Sequence, residues 1–302
     1  VHETAPSFQY EQAFARNLGW LTASEQQRLR EARVAIAGLG GVGGVHLLTL
    51  ARLGIGRFQL SDFDHFSLAN FNRQAGAAVS TLDRSKLAVM QAQALDINPG
   101  LDIATFPEGV GPDNLDRFLD GVDVYVDGLD FFAFQARRAV FAACRARGIP
   151  AVTVAPLGMG AALLTFLPQG CSFDAYFDWH DGLDEQELAL RFALGLAPAG
   201  LHRAYLVDPS RVSFAERRGP STAMACQLCA GLAGTEVLKL VLGRGKVRAA
   251  PHGWHIDAYS LRARHTWLPG GNRNPLQRIK LALGRRFLAR HAGAEAPQET
   301  HR

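Results

Sequence analysis

The chain has 302 residues, a formal net charge of +4 and 48% hydrophobic residues. That suits one large α/β domain with additions, or two small ones, and excludes a disordered chain. Four cysteines exclude a disulfide framework, no run of about 20 apolar residues reads as a membrane span, and the first residues lack the basic-then-apolar pattern of a secretory leader, so a cytoplasmic location is expected.

Residues 11–32 read as one helical stretch, with Thr22 and Glu25 spaced as a capping box. A short buried strand, 33–38, runs into the glycine turn Gly38-Leu-Gly-Gly-Val-Gly-Gly44. A helix at 45–53 stops at Gly54, and a strand at 57–61 ends in Asp62-Phe-Asp64. Further helices are expected at 83–97, 113–119 and 133–147, and strands at 103–106, 122–126 and 150–154. This alternation predicts an α/β fold, a Rossmann-like, mostly parallel sheet with helices on both faces.

Residues 168–220 break the pattern and read as an irregular insertion or crossover loop with one helix near 184–194, a candidate lid. A long apolar helix at 221–242 and a strand at 254–259 then complete the sheet within 221–268. The division is thus an N-terminal helix with a nucleotide-binding unit over 1–167, the crossover, the completing pieces, and a basic tail over 269–302. Such a tail can touch anionic membrane or RNA, but a helix packed on its own domain is the commoner outcome.

Gly38, Gly40 and Gly43 fit a dinucleotide fingerprint, and alone they point to an NAD or FAD enzyme. The residues that follow point elsewhere. Asn70, Arg73 and Lys86 crowd polar and cationic groups beside the turn, which suits a triphosphate better than a pyrophosphate. Lysine is rare in this chain, which adds weight to Lys86. Asp130 lies at the end of a later strand, where sheets of this type bind ligands and where a carboxylate suits Mg²⁺ shared with phosphates.

In this order and spacing, Gly38 to Gly43, Asp62-x-Asp64, Asn70-x-x-Arg73-Gln74, Lys86, Ile97-Asn-Pro99, Asp130 and the late stretch Ala230 to Lys239 resemble the ThiF/MoeB/HesA group, relatives of the ubiquitin-activating enzymes. The resemblance spans roughly residues 10–260. It implies an ATP-dependent adenylyltransferase that activates a carboxylate as its acyl-adenylate and releases pyrophosphate. The backbone around Gly40, Gly41 and Gly43 would approach ATP, and Asp62 would hold the ribose, with Asp64 beside it. Asn70, Arg73 and Lys86 would bind phosphate oxygens, and Asp130 would organise Mg²⁺. Arg16 would reach the nucleotide of a partner subunit in a homodimer. The partner implied is a ubiquitin-like sulfur-carrier protein, or a peptide, with a free C-terminus. Two alternatives stand beside this: an enzyme like the tRNA threonylcarbamoyl-adenosine dehydratases, and a nucleotide-binding module without turnover. Nucleic-acid and membrane contact are compatible with the basic balance but not favoured.

Three departures from the family pattern stand out. Many relatives hold a structural zinc with two CxxC pairs; here the first place has only Cys171 and the second reads Asn272 to Pro275. No zinc site is expected. The stretch 214–219, where relatives place a thioester cysteine, has none, so Cys171 and Cys226 remain the conceivable nucleophiles. Cys226 and Cys229 share one face of the late helix, which suggests packing against the sheet. Finally, Phe131-Phe132 follows Asp130 where the family usually has Asn, and Arg137-Arg138 come later than the usual arginine, which leaves the adenine-side contacts open.

Overall fold

The computed structural model describes residues 8–292. One eight-stranded sheet organises them, in the order β3-β2-β1-β4-β5-β6-β7-β8. The strands are β1 (Arg33–Ala37), β2 (Arg57–Ser61), β3 (Asp102–Phe106), β4 (Val124–Asp127), β5 (Ala151–Leu157), β6 (Gly160–Phe166), β7 (His252–Asp257) and β8 (Arg262–Trp267). From β3 to β5 all neighbours are parallel; β6, β7 and β8 are added antiparallel. The expected mostly parallel sheet is present. β6 and β8 were not expected from the sequence, and they extend the sheet past the Rossmann-like half.

The helices are α1 (Tyr10–Ala13), α2 (Ala23–Glu31), α3 (Gly43–Leu53), α4 (Lys86–Ile97), α5 (Leu115–Phe118), α6 (Phe134–Ala146), α7 (Phe173–Phe177), α8 (Glu185–Leu196), α9 (Ala223–Leu242) and α10 (Pro275–Ala292). The single stretch expected over 11–32 is in fact two helices. The chain turns between them because Asn17 spends its amide on the Leu53 carbonyl and on Gln26, pinning the connection to the end of α3. The capping box forms as read, with Thr22 and Glu25 each bonding the other's backbone N–H.

Alternation along each strand sends side chains to two separate cores. Val34 and Ile36, Phe58 and Leu60, Val124 and Val126, and Val152 and Val154 face α2, α3, α4 and α9. Tyr125, Ala151, Leu164 and Phe166 face α5, α6, α7 and α8. By length and composition α9 could cross a membrane. Here it is a core helix, laid across β5 and β6 with Ala233 and Val237 fully buried. Its Glu236 accepts a hydrogen bond from Thr165 on β6 at 2.9 Å and pairs with Lys239.

The expected lid over 168–220 is corrected for its first half. Phe173, Tyr176, Phe177, Trp179 and Phe192 form a buried aromatic cluster that covers one face of the sheet. An apolar cluster of this size is incompatible with a segment that swings free. The part without helices or named strands is narrower, 197–222, and holds two 3-10 turns and a small hairpin bridged between Ser213 and Arg218. Within the basic tail read over 269–302, α10 packs on α8, and its Gln277 amide donates to the Leu194 carbonyl; residues 293–302 lie outside the described residues.

His46, on α3, is fully buried, and neither ring nitrogen has a hydrogen-bond partner. Burial pushes its pKa down to about 3. In the unfolded chain an imidazole takes up a proton below about pH 6.5, whereas the folded chain refuses it until about pH 3. Stability is therefore fully present above about pH 6.5 and is lost as the pH falls toward about 3, by about 1.4 kcal/mol per pH unit for one such group. His255, pushed down to about 4, acts in the same direction. His46→Leu should flatten the fall in urea midpoint between about pH 6.5 and 4.5; an unchanged slope would mean that His46 is not the responsible group.

Candidate functional site

The turn after β1 is built by three glycines packed backbone to backbone. A Cβ on Gly43 would stand 1.8 Å from the Gly38 carbonyl oxygen, and one on Gly128 would stand 2.2 Å from the same atom. Gly38 also sits at a φ of +82°, which disfavours a side chain. The contact joins the end of β1, the start of α3 and the loop after β4. It sets the N-terminus of α3 at the carboxyl edge of the sheet, with the Gly44 N–H already donating to the Gly40 carbonyl.

Asp62, just past β2, fixes this turn from the other side. Its carboxylate accepts hydrogen bonds from the N–H of Leu39 at 2.6 Å and of Asp64 at 2.8 Å. Burial raises its pKa, and the two N–H donors work against that rise. Asp64 pairs with Lys86 at 3.0 Å, and the Lys86 N–H donates to the Asp64 carbonyl. Lys86 opens α4 and is only 6% exposed.

Arg73 lies over Gly41, where a Cβ would come within 3.6 Å of its Nε. Its guanidinium donates to the Ala69 carbonyl and to Asn72. Asn72 in turn donates to the Ser221 carbonyl, tying this loop to the start of α9. Asn70 closes its own turn, its side-chain oxygen accepting from the Ser67 N–H. Arg73, Lys86, Asp62 and Asp64 are thus gathered about the glycine turn, while Asn70 is occupied locally.

Asp130 is exposed, and its Oδ1 accepts from the Phe132 N–H at 3.0 Å. The loop that carries it is held from below by a pair that sequence reasoning missed. Asp127 and Arg137 are both buried and meet at 2.8 Å. Asp127 also accepts from Thr153 on β5 and from the Leu129 N–H. Arg137 donates to the carbonyls of Leu129, Asp130 and Phe131, and lies over the ring of Phe192. The signal was there: an acid ending a buried strand, followed by an arginine on the next helix.

Arg16 does not join this site. It is exposed, in the turn that Asn17 ties to the far end of α3, about 16 Å of helix from the glycine turn. Cys226 differs from its expected place. Cys229 does pack toward the sheet, but Cys226 packs with Val45 and Ala230, its sulfur 3.3 Å from where a Cβ on Gly41 would stand. Burial raises the pKa of every cysteine thiol, Cys144 to about 12 and Cys229 well above its ordinary value. The two places where relatives carry zinc-binding pairs do meet, as α7 against the turn Gly271–Arg273. They are joined there by the buried Asn272, whose amide donates to the carbonyls of Phe177 and Arg191.

Residues 14–278 match the model of the ThiF family. Over 149 residues the chain is 33% identical to the sulfur carrier protein ThiS adenylyltransferase of Escherichia coli (strain K12), a match that covers 48% of this chain and 59% of that protein. Over 150 residues it is 31% identical to the tRNA threonylcarbamoyladenosine dehydratase of Haemophilus influenzae, covering 49% and 57%. The matched region thus spans less than two thirds of these relatives' length. Among solved structures it is similar in fold to PaaA, with a TM-score of 0.64 and 20% identity over 88% of this chain and 86% of that one.

The Asp127–Arg137 pair should be the most sensitive polar point in the fold. Arg137→Met leaves a buried carboxylate unpaired and three loop carbonyls without their donor. It should lower the unfolding free energy by about 3–5 kcal/mol, read from denaturant unfolding; a loss under about 1 kcal/mol would show that the loop does not depend on it.

Proposed function

The chain belongs to the ThiF family, and from that premise we propose that it is an ATP-dependent adenylyltransferase that activates a carboxylate on an acceptor. The observation that carries this reading is the pairing of a buried lysine, Lys86, with an arginine, Arg73, at one glycine turn. Two fixed cations beside the N-terminus of α3 suit the charge of a triphosphate. The acceptor proposed is the C-terminus of a small sulfur-carrier protein or a peptide, the kind of substrate in the name of one curated relative.

The step itself needs little from acid–base chemistry. A carboxylate is ionised near pH 7. One of its oxygens attacks the α-phosphorus, the bond from that phosphorus to the bridging oxygen breaks, and pyrophosphate leaves with the electron pair. What opposes the step is repulsion between anions. Arg73 and Lys86 would neutralise phosphate oxygens in place as that charge redistributes. The ribose would lie toward Asp62, the clamp of the turn. Asp130 suits Mg²⁺: it is an exposed carboxylate whose loop is rigidly held. When bound, Mg²⁺ would supply further neutralisation of the phosphates.

A second reading, a dehydratase acting on tRNA, is supported by the similar identity to the curated dehydratase and by the net charge of +4. We also propose that activation proceeds without zinc and without an enzyme thioester. The raised thiol pKa values support this, since the thiolate is the nucleophile. Pyrophosphate exchange into ATP, dependent on a carrier protein or peptide acceptor, should be seen. Lys86→Ala should reduce it by about 10²-fold or more. Replacing each of Cys144, Cys171, Cys226 and Cys229 should leave it within a few-fold, with no stoichiometric zinc in the purified protein. Exchange that responds only to modified tRNA would select the second reading, and NAD binding without ATP binding would sink both.

We further propose a homodimer in which Arg16 of one copy serves the nucleotide of the other, because its own chain places it far from the glycine turn. Sedimentation should show a dimer, and Arg16→Ala should weaken ATP binding without changing the thermal midpoint. A monomer with unaltered affinity would refute it.

A further inference from the structure

The residues after Asp130 meet the crossover segment in a contact that the adenylation step, as described, does not use. Phe214 stacks on Phe131 with ring centroids 6.1 Å apart and an interplanar angle of 18°, and meets Phe132 edge-on at 6.4 Å. Phe131 rests in turn on Phe192, which is buried in the aromatic cluster. So the two aromatics that replace the family's usual residue after Asp130 form a dock for the crossover segment.

Phe214 belongs to a small hairpin closed by reciprocal backbone hydrogen bonds between Ser213 and Arg218, at 2.9 and 2.8 Å. Within it Arg217 adopts a left-handed φ of +51°, a conformation that a bulky residue takes at some cost. That geometry directs its guanidinium to Glu185, which it grips through both carboxylate oxygens at 2.6 and 2.7 Å. The Glu185 hydrogen bonds raise the pKa of Arg217, and the hairpin that carries it is docked through Phe214 on Phe131 and Phe132, the residues directly after Asp130. The Arg217–Glu185 pair is exposed, at 57% and 64% of the side chains. Exposed pairs contribute little, and a phosphate offers a guanidinium a stronger, charge-assisted and bidentate partner.

We propose that Arg217 is a nucleotide-contacting arginine held in reserve: Glu185 keeps it parked on the hairpin that docks next to the Asp130 loop, and the phosphates of a bound nucleoside triphosphate take it over. This rests on the ATP reading above. The hairpin stays docked through Phe214 while the side chain turns. Arg73 is held by its own loop and Lys86 by Asp64, both beside the glycine turn. Arg217 instead arrives from the crossover segment, by a side-chain turn from Glu185.

The test is equilibrium binding of ATP with Mg²⁺ to the full chain, by calorimetry. Arg217→Gln should weaken binding at least tenfold, and Arg217→Lys should recover part of that loss, since it keeps the charge but not the fork. Glu185→Gln should act in the opposite direction and tighten binding about two- to fivefold, because the competing carboxylate is gone. Unfolding midpoints without nucleotide should stay within a few degrees of the unaltered chain. If Glu185→Gln weakens binding as Arg217→Gln does, the pair is a strut that shapes the site, and the proposal is overturned. Unchanged affinity in Arg217→Gln, with binding still lost in Lys86→Ala, overturns it while sparing the ATP reading. If the unaltered chain does not bind ATP, both fall together.

Discussion

The buried pair of Asp127 and Arg137 is the interaction on which the ligand edge of this sheet depends. A carboxylate and a guanidinium taken out of water are tolerated only when their remaining bonding capacity is used. Here it is used in full view of the site: Thr153 and the Leu129 N–H complete Asp127, and three loop carbonyls complete Arg137. The loop from 128 to 132 therefore has its backbone oxygens drawn inward, which leaves the Asp130 side chain on the outside. Gly128 of the same loop is pressed against the Gly38 carbonyl. The position of Asp130 and the shape of the glycine turn are thus set by one connected network.

That network also arranges charge at the turn. Asp62 holds the turn by its backbone, and through the Asp64 N–H it also fixes the start of the segment that leads to Lys86. Arg73 reaches the same turn from the opposite side, over Gly41, on a loop anchored to Ser221. Each cation is placed by bonds that exist before any ligand arrives, which is the condition for electrostatic stabilisation without reorganisation.

Much of this was legible in the sequence, and the divide has a physical basis. The glycine turn, Asp62, Lys86 and Asp130 were readable because each is tied to its place by local geometry: a turn that admits no side chain, a strand end, a helix start. The capping box at Thr22 is of the same kind. β6 and β8 were missed for opposite reasons. β6 is buried throughout, so it shows no alternation, and β8 is an exposed edge strand whose residues are mostly polar. Asn17 and Asn272 act over long separations, on Leu53 and Phe177. No window of sequence contains both partners. The order of the aromatic cluster was hidden similarly, because Phe173 and Phe192 meet only after α7 and α8 fold back on the sheet.

The departures from the family pattern also belong together. Relatives that carry a zinc gain a rigid cross-link between the segment after the sheet and the C-terminal turn. In this chain those two segments are joined by Asn272 and by aromatic packing that runs from Phe173 through Phe192 to Phe131. Phe131 then carries Phe214 of the crossover segment. An apolar cluster cannot stop abruptly at an exposed loop without leaving an open edge, and Phe131, Phe132 and Phe214 are what closes it. Aromatics after Asp130 are in this sense the consequence of stabilising the lobe by packing: the same contacts that hold the lobe together reach the rim of the candidate site and fix where the crossover segment can sit.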